Sequence, residues 1–313
     1  MNFDSVILVT GGAGLVGSNL VHYLQESGYR NVLFLSRAEC DLSDSTQVNN
    51  WFEESKPEYV FHLAGKVFGI GGNLRYQGLS FYENCLINTN VVEACRKYNV
   101  RRVVAMGTGA IYGSPPVSLP LREEHIFSGR PHGSEEAYAQ AKRAMAAMLT
   151  AYNDSYGLNY AYVVSCNLFG PGDNFDQRNG HVVPSLVSKL YDSIEARAPI
   201  SVWGDGSAVR DFLYVKDAVR ALVTIMLSDF IGPINIGSGV AVSIKELVES
   251  LIEAADYDGG IDWDASRPNG QAYRAYDLSN LAALRFKPSY SLLGGLRETW
   301  SWYKENVGAA RKG

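Results

Sequence analysis

Cysteine is scarce in this chain: only Cys40, Cys85, Cys95 and Cys166 occur among 313 residues. They form no CxxC pair and show no metal-ligand spacing, so neither a disulfide framework nor a metal site is expected, and a reduced, cytoplasmic chain is the simplest reading. Positive charge is also in deficit, with 28 Lys and Arg against 33 Asp and Glu and a net charge of −5. That argues against a nucleic-acid partner, which needs clustered cations, and leaves any bound phosphate to local groups. Long hydrophobic runs are missing: nothing approaches the roughly 20 apolar residues that cross a bilayer, so no membrane is expected. Val6–Thr10 has no basic segment before it and is too short for a signal peptide. Internal repeats and low-complexity tracts are absent as well.

What is present reads as an ordinary globular chain, 46% hydrophobic and 19% charged, long enough for a large core and two packed lobes. Val6-Ile7-Leu8-Val9-Thr10 is a continuous β-branched run, the mark of a strand buried on both faces of a parallel sheet. It enters Gly11-Gly12-Ala13-Gly14-Leu15-Val16-Gly17 and then a helical pattern through Leu20, Val21 and Leu24 that stops at Gly28. Strand, glycine turn and helix in that order predict a dinucleotide site. Gly11 permits the turn, Gly14 the approach of a pyrophosphate and Gly17 close helix packing, with Leu15 and Val16 opening the helix whose N–H groups face the phosphates.

A second strand, 31–35, ends in Ser36-Arg37. An NAD site places an acid there for the ribose 2′-hydroxyl; a hydroxyl and a guanidinium suit a 2′-phosphate, which favours NADP(H). Asp41 and Leu42 follow where they can meet the adenine. A helix over 45–54 leads to a third strand, 59–65, whose end at Leu63, Ala64 and Gly65 leaves room for a cofactor, while His62 reads as a packed strand histidine. Lys66–Gly72 is expected to be a flexible loop able to cover substrate. A long helix over 78–98 carries Asn84, Asn88 and Asn90, poor residues for a helix interior, so at least one is expected to hydrogen-bond into the site.

A fourth strand, 102–106, delivers Thr108 just beyond its carboxyl end, where ligands bind in open α/β sheets. The run 135–145 has no helix breaker, and Tyr138 and Lys142, four apart, share one face. An ammonium beside a phenol is expected to draw the tyrosine pKa down towards neutrality, which would make the pair an acid/base device; such a pair is also common by chance. A fifth strand, 159–165, leads to Asn167 and the turn 170–172. Beyond it lie a polar loop (173–180), a helix opened by His181, a turn at 203–206, a short strand at 210–215 before a helix at Asp217, a strand at 234–237, a helix over 243–255, a late loop with Arg267-Pro268 and Arg274, and a closing helix over 292–305.

The glycine turn, Thr108, Tyr138 and Lys142 together resemble the extended short-chain dehydrogenase/reductases. The stretches 66–70, Asn167–Phe175, Gly180–Pro184, Trp203–Gly206 and Arg210-Asp211-Phe212 resemble one branch of them, the GDP-L-fucose synthases, and the likeness spans nearly the whole chain. That resemblance implies an α/β fold, a Rossmann-type doubly wound parallel sheet with a smaller mixed α/β substrate-binding lobe. Residues 1–168 plus about 208–236 would hold NADP(H), and about 169–207 plus 237–313 a GDP-linked sugar. It further implies a homodimer and NADPH-dependent reduction of a C4 ketone. Tyr138 would then donate the proton, Lys142 would hold the nicotinamide ribose, and Thr108 would bind the C4 oxygen. His181 would serve proton transfer beside the cofactor. Lys66, Asn167, Val183, Trp203, Arg210, Arg267 and Arg274 would line the substrate site. The family's 3,5-epimerisation uses a histidine, present as His181, and a cysteine two residues after the hydroxyl residue, where this chain has Ala110. Alanine transfers no proton, so the resemblance implies reduction without implying epimerisation. A nucleotide-sugar epimerase with tightly bound NAD(P) and a non-catalytic dinucleotide-binding protein remain the alternative readings.

Overall fold

The computed structural model describes residues 1–68, 70–178, 180–267 and 271–311; Gly69 of the expected loop and Pro268 of the late loop lie outside them. Strand and helix alternate from the start as β1 (Val6–Thr10), α1 (Leu15–Glu26), β2 (Asn31–Phe34), α2 (Ser45–Ser55), β3 (Tyr59–His62), α3 (Ile70–Arg75), α4 (Gln77–Lys97), β4 (Arg102–Met106), α5 (Glu136–Tyr156) and β5 (Tyr160–Ser165). There follow β6 (Asn167–Phe169), α6 (Val182–Ala196), β7 (Ile200–Trp203), β8 (Val209–Tyr214), α7 (Val215–Leu227), β9 (Gly232–Ile236), β10 (Ala241–Ser243), α8 (Ile244–Ala255), β11 (Ile261–Asp264), β12 (Tyr273–Arg274), α9 (Ser279–Ala283) and α10 (Leu292–Asn306).

The central sheet has six parallel strands in the order β2-β1-β3-β4-β5-β9. From β1 the chain steps to β2 on one side and then to β3 on the other, so the crevice for a ligand opens at the carboxyl ends of β1 and β3. Ile7, Leu8 and Val9 of β1 and Val103, Val104 and Ala105 of β4 are wholly buried, as strands covered on both faces must be. The helices form the covering layers, α1 packing on α7 and α4 packing on α2 and α5. The Rossmann-type α/β expectation holds. Beside the central sheet, β8 pairs with β10, β12 and β6, and β7 pairs with β11. These edge strands supply the additional, smaller sheets.

Two local expectations change. The segment read as a loop up to Gly72 becomes helical from Ile70. β3 ends at His62, three residues early, because the Leu63 and Ala64 N–H groups donate to the Thr10 hydroxyl at 3.1 and 3.2 Å and leave the strand ladder. The short strands β7, β10, β11 and β12, two to four residues each, are too brief for their pattern to announce them, and a neighbouring strand supplies their partners.

Candidate active site

The glycine turn is built as its spacing requires. Gly11 adopts φ +71°, and a Cβ there would stand 2.9 Å from the Ala64 nitrogen. A Cβ on Gly17 would fall far inside contact distance of the Gly11 carbonyl. Gly14 caps α1 with no side-chain hydrogen bond, so the first N–H groups of α1, around Leu15 and Val16, are left to an anion, and a dinucleotide pyrophosphate fits this cradle.

The end of β2 differs from the reading of free phosphate donors. The Ser36 N–H and hydroxyl both donate to one Glu39 carboxylate oxygen, at 2.8 and 2.7 Å. Arg37 is exposed and pairs with Asp41 at 3.5 Å. A 2′-phosphate would therefore have to replace Glu39 at Ser36 and share Arg37 with Asp41. The Leu42 carbonyl accepts from Asn90 at 3.0 Å.

Asparagines organise the floor. Asn88 meets the His62 Nε2 at 3.1 Å, and the Thr10 hydroxyl meets His62 Nδ1 at 2.8 Å. Because that hydroxyl already accepts from two backbone N–H groups, its own proton goes to Nδ1, and the Nε2–H donates to Asn88. Burial and the Lys142 charge lower His62 to about 3, so it is a neutral packed histidine, as read. Asn84 grips both the N–H and the C=O of Lys66, at 2.9 and 3.0 Å. The Lys66 ammonium pairs with Glu83 at 2.9 Å. Gly65 keeps the chain close here, since a Cβ would meet Asn84 Oδ1 at 3.1 Å and Lys142 Nζ at 3.4 Å.

Tyr138 and Lys142 lie on α5, whose alanine-rich run lets the helix pack closely and whose buried face carries both residues. The Lys142 ammonium stands 6.0 Å from the centre of the Tyr138 ring and donates to the Met106 carbonyl at 3.0 Å. Burial lowers Lys142 to about 8. The phenol does not follow the expected direction: burial first, and then the Glu135 carboxylate, raise Tyr138 above its ordinary value. The reason is that desolvation disfavours the phenolate in a pocket whose nearest carboxylate belongs to the residue three positions before it. Behind the pair, the Tyr162 hydroxyl donates to the Lys142 carbonyl at 3.0 Å. Thr108 accepts from the Ala110 N–H at 3.2 Å, which leaves its own hydroxyl proton to give. Ala110 is a buried methyl.

Across from α5, β8 and β12 set Arg210 and Arg274 side by side in parallel register. Burial, and then the charge of Arg274, lower Arg210 to about 10. Arg274 bonds Glu135 at 3.0 Å and Gln271 at 2.9 Å. Two partly desolvated guanidiniums facing one carboxylate make an anion-binding corner three residues from Tyr138. Asn167, on β6, lies half-buried beside β8 in register with Phe212. Val183 is buried in the first turn of α6, whereas His181 is exposed at the N-cap of that helix. Further along α6, the Lys189 ammonium and the Arg267 guanidinium stand 4.9 and 5.1 Å from the Trp203 ring, at a 420 Å³ pocket that Lys189 and Trp203 help to line.

Sequence reasoning missed Glu135 and Tyr162. Glu135 sat beside a motif, whereas Tyr162 reaches the Lys142 carbonyl from β5.

The family model described as the NAD dependent epimerase/dehydratase family matches residues 7–237. GDP-L-fucose synthase 1 of Arabidopsis thaliana is 36% identical over 305 residues, covering 96% of this chain and 94% of that relative. A GDP-L-fucose synthetase of Naegleria fowleri bound to NADP superposes with a TM-score of 0.92 at 29% identity, covering 100% of this chain and 98% of its own. A GDP-6-OMe-4-keto-L-xylo-heptose reductase of C. jejuni gives a TM-score of 0.90 at 28% identity, with 98% and 99% covered. With the glycine cradle, the Tyr138–Lys142 face and a match over most of its length, this chain belongs to the NAD dependent epimerase/dehydratase family.

Proposed function

We propose that this protein reduces the C4 ketone of a GDP-linked 4-keto-6-deoxy sugar, using NADPH. The observation that carries the reading is the corner tied together by the Glu135–Arg274 bond: a buried phenol and ammonium on α5, and two guanidiniums side by side on β8 and β12. The relatives named for GDP-sugars and the neighbour bound to NADP support the same substrate class and cofactor.

When bound at the glycine cradle, NADPH supplies a hydride. The charge that then gathers on the C4 oxygen needs a proton and a second hydrogen bond. Tyr138, held protonated at neutral pH by its burial, gives its proton to that oxygen. Thr108 donates the second bond. Lys142, charged below about pH 8, offsets the phenolate left behind. Arg210 and Arg274 hold the diphosphate that fixes the sugar in place.

The reaction stops at reduction. Beyond the Ala110 methyl, the Cys85 and Cys166 thiols are pushed up by burial, and Cys166 is engaged with Asp211 rather than with His181. Incubation with a GDP-4-keto-6-deoxy sugar and NADPH in deuterated water should oxidise NADPH stoichiometrically and leave C3 and C5 free of deuterium; label at either carbon refutes the loss of epimerisation. Turnover without net NADPH consumption would favour an epimerase instead. Tyr138→Phe should lower turnover by a factor of about 10²–10⁴ while NADPH still binds. A Tyr138→Phe enzyme with wild-type turnover sinks the assignment. The protein is further proposed to act in the cytoplasm as a homodimer, a state that sedimentation analysis would read directly; exposed Leu79, Phe81 and Tyr82 on α4 provide apolar surface for it.

A further inference from the structure

Tyr276 belongs to the segment just after β12, far in sequence from every catalytic motif. Its backbone is pinned to residue 121: the Leu121 N–H donates to the Ala275 carbonyl at 2.8 Å, and the Asp277 N–H donates to the Leu121 carbonyl at 2.9 Å. Asn235 of β9 anchors the same segment, bonding the Asp277 carbonyl at 3.1 Å. The ring lies against Tyr112, with centres 6.3 Å apart, and the residue is only 7% exposed.

So held, the ring reaches the turn that follows β4. A side chain at Gly109 would overlap the Tyr276 hydroxyl, with the next ring carbon at 2.8 Å. The phenol oxygen therefore occupies the volume that a residue-109 side chain would fill, between Thr108 and Ala110. The groups acting on it electrostatically are Arg274, Cys166, Asp211 and Glu135, so the hydroxyl borders the anion corner as well as the Thr108 turn. A glycine at 109 has no other evident purpose, because the backbone there is not in a left-handed conformation. The glycine makes room for the tyrosine.

We propose that Tyr276 is a substrate-binding residue of the reductase site, its hydroxyl standing in for a polar side chain at position 109 and hydrogen-bonding a hydroxyl of the sugar next to C4. It links the two halves of the site, since the same segment carries Arg274 for the diphosphate and Tyr276 for the sugar. The inference rests on the reaction proposed above.

Steady-state kinetics with a GDP-4-keto-6-deoxy sugar and NADPH test it. Tyr276→Phe keeps the ring and its packing and gives up one hydrogen bond with the Arg274 guanidinium, so the melting temperature should fall by no more than a few degrees. The KM for the nucleotide sugar should rise about tenfold, the upper range for one neutral hydrogen bond, with kcat and the NADPH KM unchanged. Tyr276→Leu should show the same loss. Adding Gly109→Ser to Tyr276→Leu returns a hydroxyl to the vacated volume and should recover most of the lost affinity. An unaltered sugar KM in Tyr276→Phe overturns the proposal, as does a Tyr276→Leu loss that Gly109→Ser leaves in place. A wild-type enzyme that leaves NADPH unoxidised defeats the reaction itself; wild-type turnover with an indifferent Tyr276→Phe defeats only the role of Tyr276.

Discussion

At the scale of the residue, Lys142 carries the largest consequence. The residue is 2% exposed, and its ammonium bonds the Met106 carbonyl. Burial lowers it from 10.5 to about 8. Between those values the unfolded chain binds a proton that the folded one has released, so stability rises with pH across that window and the penalty for the buried charge is fully present below about 8. Lys142→Met should therefore be more stable than wild type at pH 7, by at most about 3 kcal/mol, and the difference should close as pH climbs towards 10.5; denaturation curves across that range read it. Activity runs the other way. The free-enzyme profile of kcat/KM should fall as pH rises through about 8, because the neutral amine no longer offsets a phenolate. The Tyr–Lys spacing was legible in the sequence. The direction of the Tyr138 shift was not, since it depends on burial and on Glu135, which spacing cannot reveal.

Among the elements, the β1–turn–α1 unit was the most readable, because its chemistry is local. Gly14 and Gly17 answer to contacts within the unit, Gly11 to the chain just beyond β3 and Gly12 to Phe34 at the end of β2. Gly17→Ala forces a methyl into the Gly11 carbonyl, and the turn must open to relieve it. A cost of about 1–3 kcal/mol is expected from such overpacking, together with loss of measurable NADPH binding by fluorescence. Retained affinity would show that the turn adjusts. The end of β2 was only half readable. Ser36 and Arg37 stand where the strand order suggested, but Glu39 and Asp41 engage them, and only folding of that loop decides which donors are committed.

The whole molecule contributes through the C-terminal segment. α10 packs on α6 and α8, and its Trp302 and Tyr303 rings lie 5.7 and 4.5 Å from the Phe175 ring. Beyond the helix, the Phe175 N–H donates to the Arg311 carbonyl at 2.8 Å, and the Arg311 guanidinium donates to the Gly172 carbonyl at 2.6 Å. The loop leading to His181 is thus fastened by the far end of the chain. Removing the residues after Asn306 should raise the nucleotide-sugar KM several-fold, as expected for loosened positioning, and leave NADPH affinity intact. A fall in NADPH affinity as well would point to general unfolding instead.

The sequence by itself determined the α/β class, the glycine cradle, the Tyr138–Lys142 face and the Ala110 departure, since strand and helix periodicity and short motifs are properties of neighbouring residues. Tertiary structure alone decided which distant groups surround that face. Pairing of β8 with β12 brought Arg210 to Arg274, the bond from Arg274 brought Glu135 into the corner, and the bridge at Leu121 carried Tyr276 to Gly109. Such meetings arise from the register of strands and the packing of layers, and no local pattern encodes them.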